Sequence, residues 1–263
     1  MLALATEIYR RRELLWMLVL RNLKIRYKGS SLGFLWSLMT PLLMIVIYAI
    51  FARIMKWNMG RGDFLEFLVV GIVVWQFLGT CMNDALQAIT GNSNLIKKTA
   101  FPRFLIPLAQ VLANLVNFLL TAVVLFAFLF VMKASFNHLV FLPVVILTQM
   151  ALCLGLALTI AALNVFLKDT EHILGTAIMA WFFLSPVFYS VQYQLEKLPS
   201  GYGWLAFLNP MTGILCAYRS MLMSDYSTVP LSFLILSGAV AWLVLFLGIA
   251  VFQRLQVRFA DEL

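Results

Sequence analysis

Hydrophobic residues along this chain fall in six long runs, and the short segments between the runs carry most of the charged residues. An α-helix rises about 1.5 Å per residue, so about 20 apolar residues match a hydrocarbon core about 30 Å thick. The pattern therefore predicts an all-α integral membrane protein, a single domain over residues 1–263 with six transmembrane helices. The predicted spans are 32–54, 64–86, 104–132, 139–167, 173–189 and 229–252.

The distribution of lysine and arginine gives these spans an orientation, because basic residues at the ends of spans favour the cytoplasmic side. Thirteen of the nineteen basic residues fall in segments assigned to the inside, namely Arg10, Arg11, Arg12, Arg21, Lys24, Arg26, Lys28, Lys97, Lys98, Arg103, Lys168, Arg254 and Arg258. The other six fall in outside segments or at their borders, namely Arg53, Lys56, Arg61, Lys133, Lys197 and Arg219. The bias predicts that the N and C termini are both cytoplasmic.

A basic segment, residues 7–28, precedes the first span and can form an amphipathic helix. One face carries Trp16, Leu20, Leu23 and Tyr27, and the basic residues nearby are Arg21, Lys24, Arg26 and Lys28. A helix of this kind lies in the membrane interface. The alternative is a plain basic flank of the first span, because residues 14–20 are apolar nearly all round.

The connection between the fifth and sixth spans, residues 190–225, is the longest in the chain. It contains an apolar stretch from Trp204 to Met223 that is interrupted by Asn209, Pro210 and Arg219. We expect two short helices that dip into the outer leaflet or lie on it, since irregular backbone is tolerated there where protein buries it. The alternative is an additional span, which would place the C terminus outside.

The composition agrees with a membrane protein and excludes several other classes. Hydrophobic residues make up 63% of the chain and charged residues 11%, against roughly 45–50% and 25% in ordinary globular proteins. The net charge of +8 is concentrated in the short connections, so it indicates topology and contact with lipid headgroups rather than nucleic acid binding. The three cysteines, Cys81, Cys153 and Cys216, lack the spacing of a metal or redox site.

Enzymatic chemistry is poorly represented in the sequence. There is no GxxxxGK[ST] phosphate-binding loop, so we do not expect this chain to hydrolyse ATP itself. His138 and His172 are predicted on opposite sides of the membrane and therefore cannot share a metal ion. The acidic residues are predicted at span ends or in turns, which disfavours a proton-coupled carrier. We expect no catalytic residue, no bound cofactor and no metal on this chain.

Aromatic side chains are frequent in the spans, and they suit a carbohydrate that slides past them. Aromatic rings contact the C–H faces of sugars through weakly directional apolar interactions. The alternative is packing against lipid or a belt at the membrane interface, which accounts for most aromatic residues of membrane proteins.

Five strings together resemble the membrane-spanning subunit of ABC transporters that export bacterial surface polysaccharides, namely O-antigen, capsule and teichoic acid. The strings occur in the expected order and extend over most of the chain. They are RYKGSSLGFLWSLMTPLL at 26–43, NLIKKTAFPRFLIPLAQV at 94–111, KDTEHILG at 168–175, SPVFY at 185–189, and LNPMT followed by YR within 208–219.

The resemblance implies the permease half of an exporter in the bacterial inner membrane. Two copies of the chain would form the pore, and two copies of a separate ATPase subunit, which binds ATP and Mg²⁺, would dock on the cytoplasmic face. The expected substrate is a lipid-linked polysaccharide. Two alternatives remain, namely a related permease that exports a small amphiphile or drug, and an integral-membrane enzyme that acts on lipid-linked sugars.

The resemblance also assigns roles to individual residues. The segment 7–28 corresponds to an interface helix, and residues 190–225 to an outer gate that includes Trp204, Asn209, Pro210 and Arg219. The residues expected to couple to the ATPase are Asn94, Leu95, Lys97, Lys98, Phe101, Pro102 and Arg103. The channel would be lined by the first and fifth spans, with Phe34, Trp36, Tyr48, Phe51, Phe182 and Tyr189. The alternative for Lys97, Lys98 and Arg103 is an ordinary basic inside loop.

Overall fold

The computed structural model describes residues 2–55, 64–98, 102–134, 136–199, 201–223 and 229–262. About 85% of these residues are helical and none forms a strand, so the prediction of an all-α fold is confirmed for this part of the chain. The α-helices are α1 (Leu2–Arg10), α2 (Arg12–Tyr27), α3 (Trp36–Met55), α4 (Phe64–Thr90), α5 (Ser93–Lys98), α6 (Leu105–Val131), α7 (Leu142–Phe166), α8 (Thr170–Leu184), α9 (Val191–Lys197), α10 (Pro210–Leu222), α11 (Leu231–Leu255) and α12 (Phe259–Glu262). Phe101 of the predicted coupling residues lies outside the described residues, as do positions 200 and 224–225 of the predicted gate.

One end of the helix bundle, called the α2 end here, is formed by the N-terminal helices, α5, the start of α6 and the C-terminal tail. Arg21 on α2 donates a hydrogen bond to the Asn92 side chain, which follows α4, at 2.8 Å. Arg103, just before α6, donates to the carbonyl oxygen of Gln256, which follows α11. The segments that the sequence assigns to the inside therefore meet at one end of the bundle.

The opposite end, called the α10 end, holds the connection between α8 and α11. The amide of Asn137, which follows α6, donates to the carbonyl oxygen of Met221 in α10 at 2.8 Å. The ring of Phe207, just before α10, stacks on Phe233 in the first turn of α11, with centroids 4.9 Å apart. The connections assigned to the outside are thus gathered here.

Four helical segments are long and apolar enough to cross a membrane, judged by length and composition, within the residues that the structure describes. They are Phe64–Thr90, Leu105–Val131, Leu139–Phe166 and Leu231–Arg258. Of two shorter apolar segments, Leu38–Phe51 lies within the first predicted span and Thr170–Leu184 overlaps the fifth. Six complete crossings therefore remain a prediction.

Helix α4 is the centre of the bundle. In its most apolar stretch 72% of the residues are buried by protein, against 22–28% in the other three long helices. It packs against α3, α6, α7, α8 and α10. A largely apolar helix that others enclose is the expected core of a bundle, whereas the remaining helices leave one side for lipid.

Helices α7 and α11 approach each other most closely where two glycines face each other. A Cβ atom at Gly155 would lie 2.5 Å from the carbonyl oxygen of Val244 and 2.6 Å from Cα of Leu245. A Cβ atom at Gly248 would collide with the carbonyl oxygen of Gly155 and lie 2.8 Å from its Cα. Small residues allow this backbone contact, which is a principal source of helix association in membranes.

A buried polar network joins three helices in the apolar core. The side-chain amide of Gln149 on α7 donates to the carbonyl oxygen of Val74 on α4 at 2.8 Å. Its oxygen accepts a hydrogen bond from the Tyr218 hydroxyl on α10 at 2.9 Å. Because buried polar groups are costly unless they are paired, this network fixes how α4, α7 and α10 pack together.

Arg219 on α10 is fully buried and bonds to backbone carbonyl groups. Its guanidinium donates to the oxygens of Pro186 at 2.5 Å, Val187 at 2.7 Å and Phe67 at 3.2 Å. The same group lies over the Phe67 ring, 3.4 Å from its centroid. Gly71 on α4 leaves room for this guanidinium, because a Cβ atom at Gly71 would collide with Nη2 of Arg219. One side chain thus joins α10 to α4 and to the segment after α8.

The connection after α8 contains short helices rather than a long one. Helix α9 has 7 residues and α10 has 13, and α10 is almost entirely buried against the bundle. At about 1.5 Å per residue α10 is roughly 20 Å long, which is too short for a hydrocarbon core of about 30 Å. Its length and burial favour the re-entrant interpretation of this connection over an additional span.

Replacing Gly248 with alanine tests the contact between α7 and α11. Alanine is the better helix former by about 1 kcal/mol, but at this position its methyl group would force two backbones apart. We expect Gly248→Ala to lower the free energy of unfolding by about 1–3 kcal/mol, as overpacking usually does. The matched control is Gly238→Ala on the same helix, where the nearest atom is a Thr148 methyl group at 4.0 Å. Thermal melting in one detergent compares the two, and equal melting temperatures would contradict the contact.

Replacing Arg219 with methionine tests the buried guanidinium. The variant keeps a long apolar side chain but leaves the carbonyl oxygens of Pro186 and Val187 without a donor, at a cost of about 1–3 kcal/mol each. We expect a clearly lower melting temperature than in Lys197→Met, which removes an exposed ammonium group over the Tyr193 ring at the same end. An Arg219→Met protein as stable as Lys197→Met would show that the buried bonds do not hold α10.

Candidate functional site

The N-terminal segment predicted as one helix over 7–28 forms two helices, divided at Arg11. Leu18 and Val19 of α2 are buried at 5% and 1% exposure, against the first turns of α6. Trp16, in contrast, is 58% exposed and Leu20 is 37% exposed. The face that packs on the protein is therefore not the one that carries Trp16, because the apolar stretch gives α2 two competing faces.

Two of the basic residues of α2 are tied to the bundle. Arg26 forms an ion pair with Asp84 on α4 and donates to the Asn114 side-chain oxygen on α6 at 2.7 Å. The Asn114 amide in turn donates to the Asp84 carboxylate at 2.9 Å. With the bond from Arg21 to Asn92, these contacts anchor α2 across α4 and α6. Asp84 is the acid that the sequence places at the end of the second span, and its partner could not be identified from the sequence.

The predicted coupling segment packs on the bundle through its apolar residues and exposes a charged side chain at the surface. Helix α5 buries Ile96 at 4% exposure in an apolar cluster that includes residues of α4, α6, α7 and α11, and Leu95 is half-buried. Lys97 is exposed. The side chains of Asn94 and Lys98 lie outside the described residues. Pro102 and Arg103 are half-buried, and Arg103 donates a hydrogen bond to the carbonyl oxygen of Gln256.

Exposed basic residues cover the α2 end of the bundle. They belong to the N-terminal helices, α5, the turn before α8 and the C-terminal tail. They are Arg10, Arg11, Arg12, Lys24, Lys28, Lys97, Lys168, Arg254 and Arg258. Such a face suits anionic lipid headgroups or an acidic protein surface.

The aromatic residues predicted to line a channel fall in separate environments. Phe182 belongs to a cluster with Trp75, at 5.3 Å between ring centroids, and with Phe188, at 4.9 Å. The Tyr189 hydroxyl donates to the carbonyl oxygen of Phe183 at 3.2 Å. On α3, Tyr48 is half-buried in the core, Trp36 and Phe51 are each 39% exposed, and the side chain of Phe34 lies outside the described residues.

The predicted gate residues organise the start of α10. The Asn209 side-chain oxygen accepts from the amide of Met211 at 3.1 Å, so Asn209 caps the helix, and Pro210 occupies the first turn. The same oxygen accepts from the Trp181 indole at 2.9 Å, and the Asn209 amide donates to the Ser185 hydroxyl at 2.9 Å. The capping residue thereby fastens α10 to the end of α8. Trp204 is 42% exposed at this end.

A cavity of about 350 Å³ lies between α3, α4 and α6. Its polar lining residues are Thr40 on α3, Gln76 and Thr80 on α4, and Asn114, Asn117 and Thr121 on α6. Arg26 closes one side of it, and Trp36, Phe77 and Phe118 supply aromatic surface. Of these residues the sequence predicted a channel-lining role for Trp36 but none for the amides and hydroxyls. The recurrence of amides and hydroxyls at helical spacing inside the second and third apolar runs is the sequence pattern that indicates such a cavity.

Comparisons with known proteins agree with this architecture. A family model described as "ABC-2 type transporter" matches residues 13–223. The O-antigen export system permease protein RfbA of Klebsiella pneumoniae is 32% identical over 255 residues, which is 95% of each chain. The protein of the same name from Myxococcus xanthus is 30% identical over 269 aligned positions and 100% of each chain. The polysialic acid transport protein KpsM of Escherichia coli is 22% identical over 241 residues, covering 90% of this chain and 91% of its own. This chain belongs to the ABC-2 type transporter membrane family.

Proposed function

We propose that this chain is the permease half of an ATP-driven exporter that moves a lipid-linked polysaccharide, of the O-antigen or capsule kind, outward across the bacterial inner membrane. The observation that carries the proposal is similarity over nearly the whole length to permeases named for O-antigen export. The four span-length helices and the absence of a phosphate-binding loop in the sequence agree with a transport subunit driven by another chain.

Six passages with both termini inside are the topology we propose. In this topology the six passages would be α3, α4, α6, α7, α8 and α11. Helix α3 has 20 residues and α8 has 15, so they are about 30 Å and 22 Å long. Helix α8 alone is too short to cross the hydrocarbon core. In this topology it would complete its passage together with the following segment, whose Pro186 and Val187 carbonyl groups bond to Arg219. The exposed basic residues of the α2 end support a cytoplasmic location for that end.

Two copies of the chain would form the pore, with α3 and α8 facing it or the second copy. Both helices leave large apolar side chains exposed in the single chain. Examples are Val46, Ile47 and Ile50 on α3, at 53–55% exposure, and Ile173, Met179 and Leu184 on α8, at 65–67%. Lipid or a second copy would cover these surfaces, and the aromatic residues of the same helices would then lie near a channel.

Two copies of a separate ATPase subunit, carrying ATP and Mg²⁺, would dock at the α2 end. Helix α5 suits this contact because Lys97 is exposed while Ile96 is buried in an apolar cluster with residues of α4, α6, α7 and α11. A displacement of α5 by the ATPase would therefore be passed directly to the helices that enclose the core. Helix α2, tied to α4 and α6 through Arg26, would move with them while lying at the headgroups.

Deleting the gene in the producing bacterium tests the proposed function. We expect the complete lipid-linked polymer to accumulate on the cytoplasmic leaflet and to be lost from the cell surface, as followed by labelling intact and permeabilised cells with a lectin. Normal surface polymer would overturn the polysaccharide assignment in favour of a small amphiphile. Loss of polymer synthesis itself would favour an enzyme acting on lipid-linked sugars.

Charge reversal at α5 tests the proposed coupling. We expect Lys97→Glu with Lys98→Glu to abolish substrate-dependent ATP hydrolysis and export without preventing membrane insertion, because the contact with the ATPase is lost. The control is Lys133→Glu, which reverses an exposed charge at the α10 end and should leave both activities within about twofold of the native chain. Insertion is checked by the amount of protein in purified membranes. Normal export by the double variant would remove the coupling assignment.

A further inference from the structure

The cavity between α3, α4 and α6 is lined by two facing rows of polar side chains. On α4 the row is Gln76 and Thr80, four residues apart, followed by Asp84 after another four. On α6 the row is Asn114, Asn117 and Thr121, at intervals of three and four. Residues at these intervals share one face of a helix. Both helices therefore turn a polar stripe toward the same space.

Polar stripes of this kind are unusual inside apolar helices. Polar groups at membrane depth are costly unless they face a cavity or find partners, and they commonly mark a substrate pathway. Here apolar side chains flank the stripes, with Val73 and Phe77 of α4 and Phe118 of α6 next to the polar residues. The stripes indicate a place where a polar ligand, rather than lipid, is accommodated.

The lining offers both kinds of hydrogen-bonding group together with aromatic surface. The Thr80 hydroxyl donates to the carbonyl oxygen of Gln76 at 2.7 Å, and the Thr121 hydroxyl donates to that of Asn117 at 3.0 Å. Both hydroxyl oxygens therefore present acceptor sites to the cavity, while the exposed side-chain amide of Gln76 can donate and accept. The Trp36 ring adds an apolar surface. Alternating donors and acceptors beside an aromatic ring match the hydroxyl groups and the C–H face of a pyranose.

The charges at the cavity favour a neutral ligand. Arg26 closes the side nearest the α2 end, but its guanidinium is paired with Asp84 and also bonded to Asn114. A paired arginine offers little attraction to a free phosphate or a carboxylate, since binding an anion would require the ion pair to be broken. The described lining therefore carries compensated charge and neutral polar groups.

We propose that this cavity binds one neutral hexose residue of the transported polysaccharide, between the membrane interface and the middle of the bilayer. The assignment rests on the proposed function, because it names the part of the substrate that the permease recognises. The volume of about 350 Å³ lies near the lower end of the range for small-molecule sites, roughly 300–1,000 Å³, which suits a single sugar ring better than an oligosaccharide. The site lies within one chain, so it does not depend on how two copies meet.

The first test removes the two hydroxyl groups and keeps the shape of the side chains. The double variant Thr80→Val with Thr121→Val is compared with Thr148→Val, which removes a hydroxyl that makes the same bond within its helix, to Val144, on α7 away from the cavity. In the purified complex with its ATPase we expect the double variant to need roughly tenfold more lipid-linked polymer for half-maximal stimulation of ATP hydrolysis, with an unchanged maximal rate. The loss of one or two neutral hydrogen bonds to the ligand corresponds to a roughly tenfold weaker affinity. Identical stimulation curves for the double variant and Thr148→Val would overturn the proposal.

The second test measures binding directly and does not require transport. Methyl glycosides of the neutral hexoses found in the polymer, and methyl glucuronide as an anionic comparison, are titrated against the tryptophan fluorescence of the purified chain. We expect a saturable change with at least one neutral glycoside, absent in Trp36→Phe and shifted about tenfold in the double variant. No saturable change, or equal binding of the glucuronide, would contradict a neutral hexose site.

The two proposals fail in different ways. If the gene deletion leaves surface polymer normal while a glycoside still binds, the polysaccharide function is wrong and the sugar site stands. If the deletion blocks export while neither the titration nor the double variant shows an effect, the function stands and the cavity is not a sugar site.

Discussion

The guanidinium of Arg219 is the interaction on which the α10 end of this protein depends. A short buried helix, α10, begins at Asn209 and lies among α4, α7 and α11, where water is scarce and every polar group needs a partner. Arg219 supplies donors to the carbonyl oxygens of Pro186, Val187 and Phe67, and Asn209 supplies the cap and the link to α8. The connection between α8 and α11 is therefore held by side chains that satisfy backbone groups.

At the α2 end, too, buried and half-buried polar groups find hydrogen-bond partners, but there they are mainly other side chains. There Arg26, Asp84 and Asn114 satisfy one another and hold the N-terminal helix across α4 and α6. Beyond this cluster the polar stripes of α4 and α6 continue along a cavity. Thr80 and Thr121 of these stripes bond to backbone within their own helices and also line the cavity. One end of the bundle is thus fixed by buried bonds, and the other combines an anchored helix and a basic surface, with the cavity next to them.

Much of the fold could be predicted from the sequence, because long apolar runs and basic flanks are local signals. Four of those runs coincide with helices of spanning length. The division of the N-terminal segment at Arg11 could not be predicted, since an apolar stretch without a clear face leaves its packing to the neighbouring helices. Nor could the partner of Asp84, because the ion pair joins residues 58 positions apart. The polar stripes had a signal in the recurrence of Asn, Gln and Thr, but their meaning depends on α4 and α6 being neighbours.

Reconstituted transport tests the central claim, that this chain is a passive permease worked by a separate ATPase. Proteoliposomes would contain the chain, its ATPase and the lipid-linked polymer, and a lectin outside would report polymer that reaches the opposite leaflet. The account predicts that polymer becomes accessible only when both subunits and ATP are present, and not with the permease alone or with a hydrolysis-deficient ATPase. Transfer by this chain alone without ATP, or no transfer by the complete system with active ATPase, would contradict it.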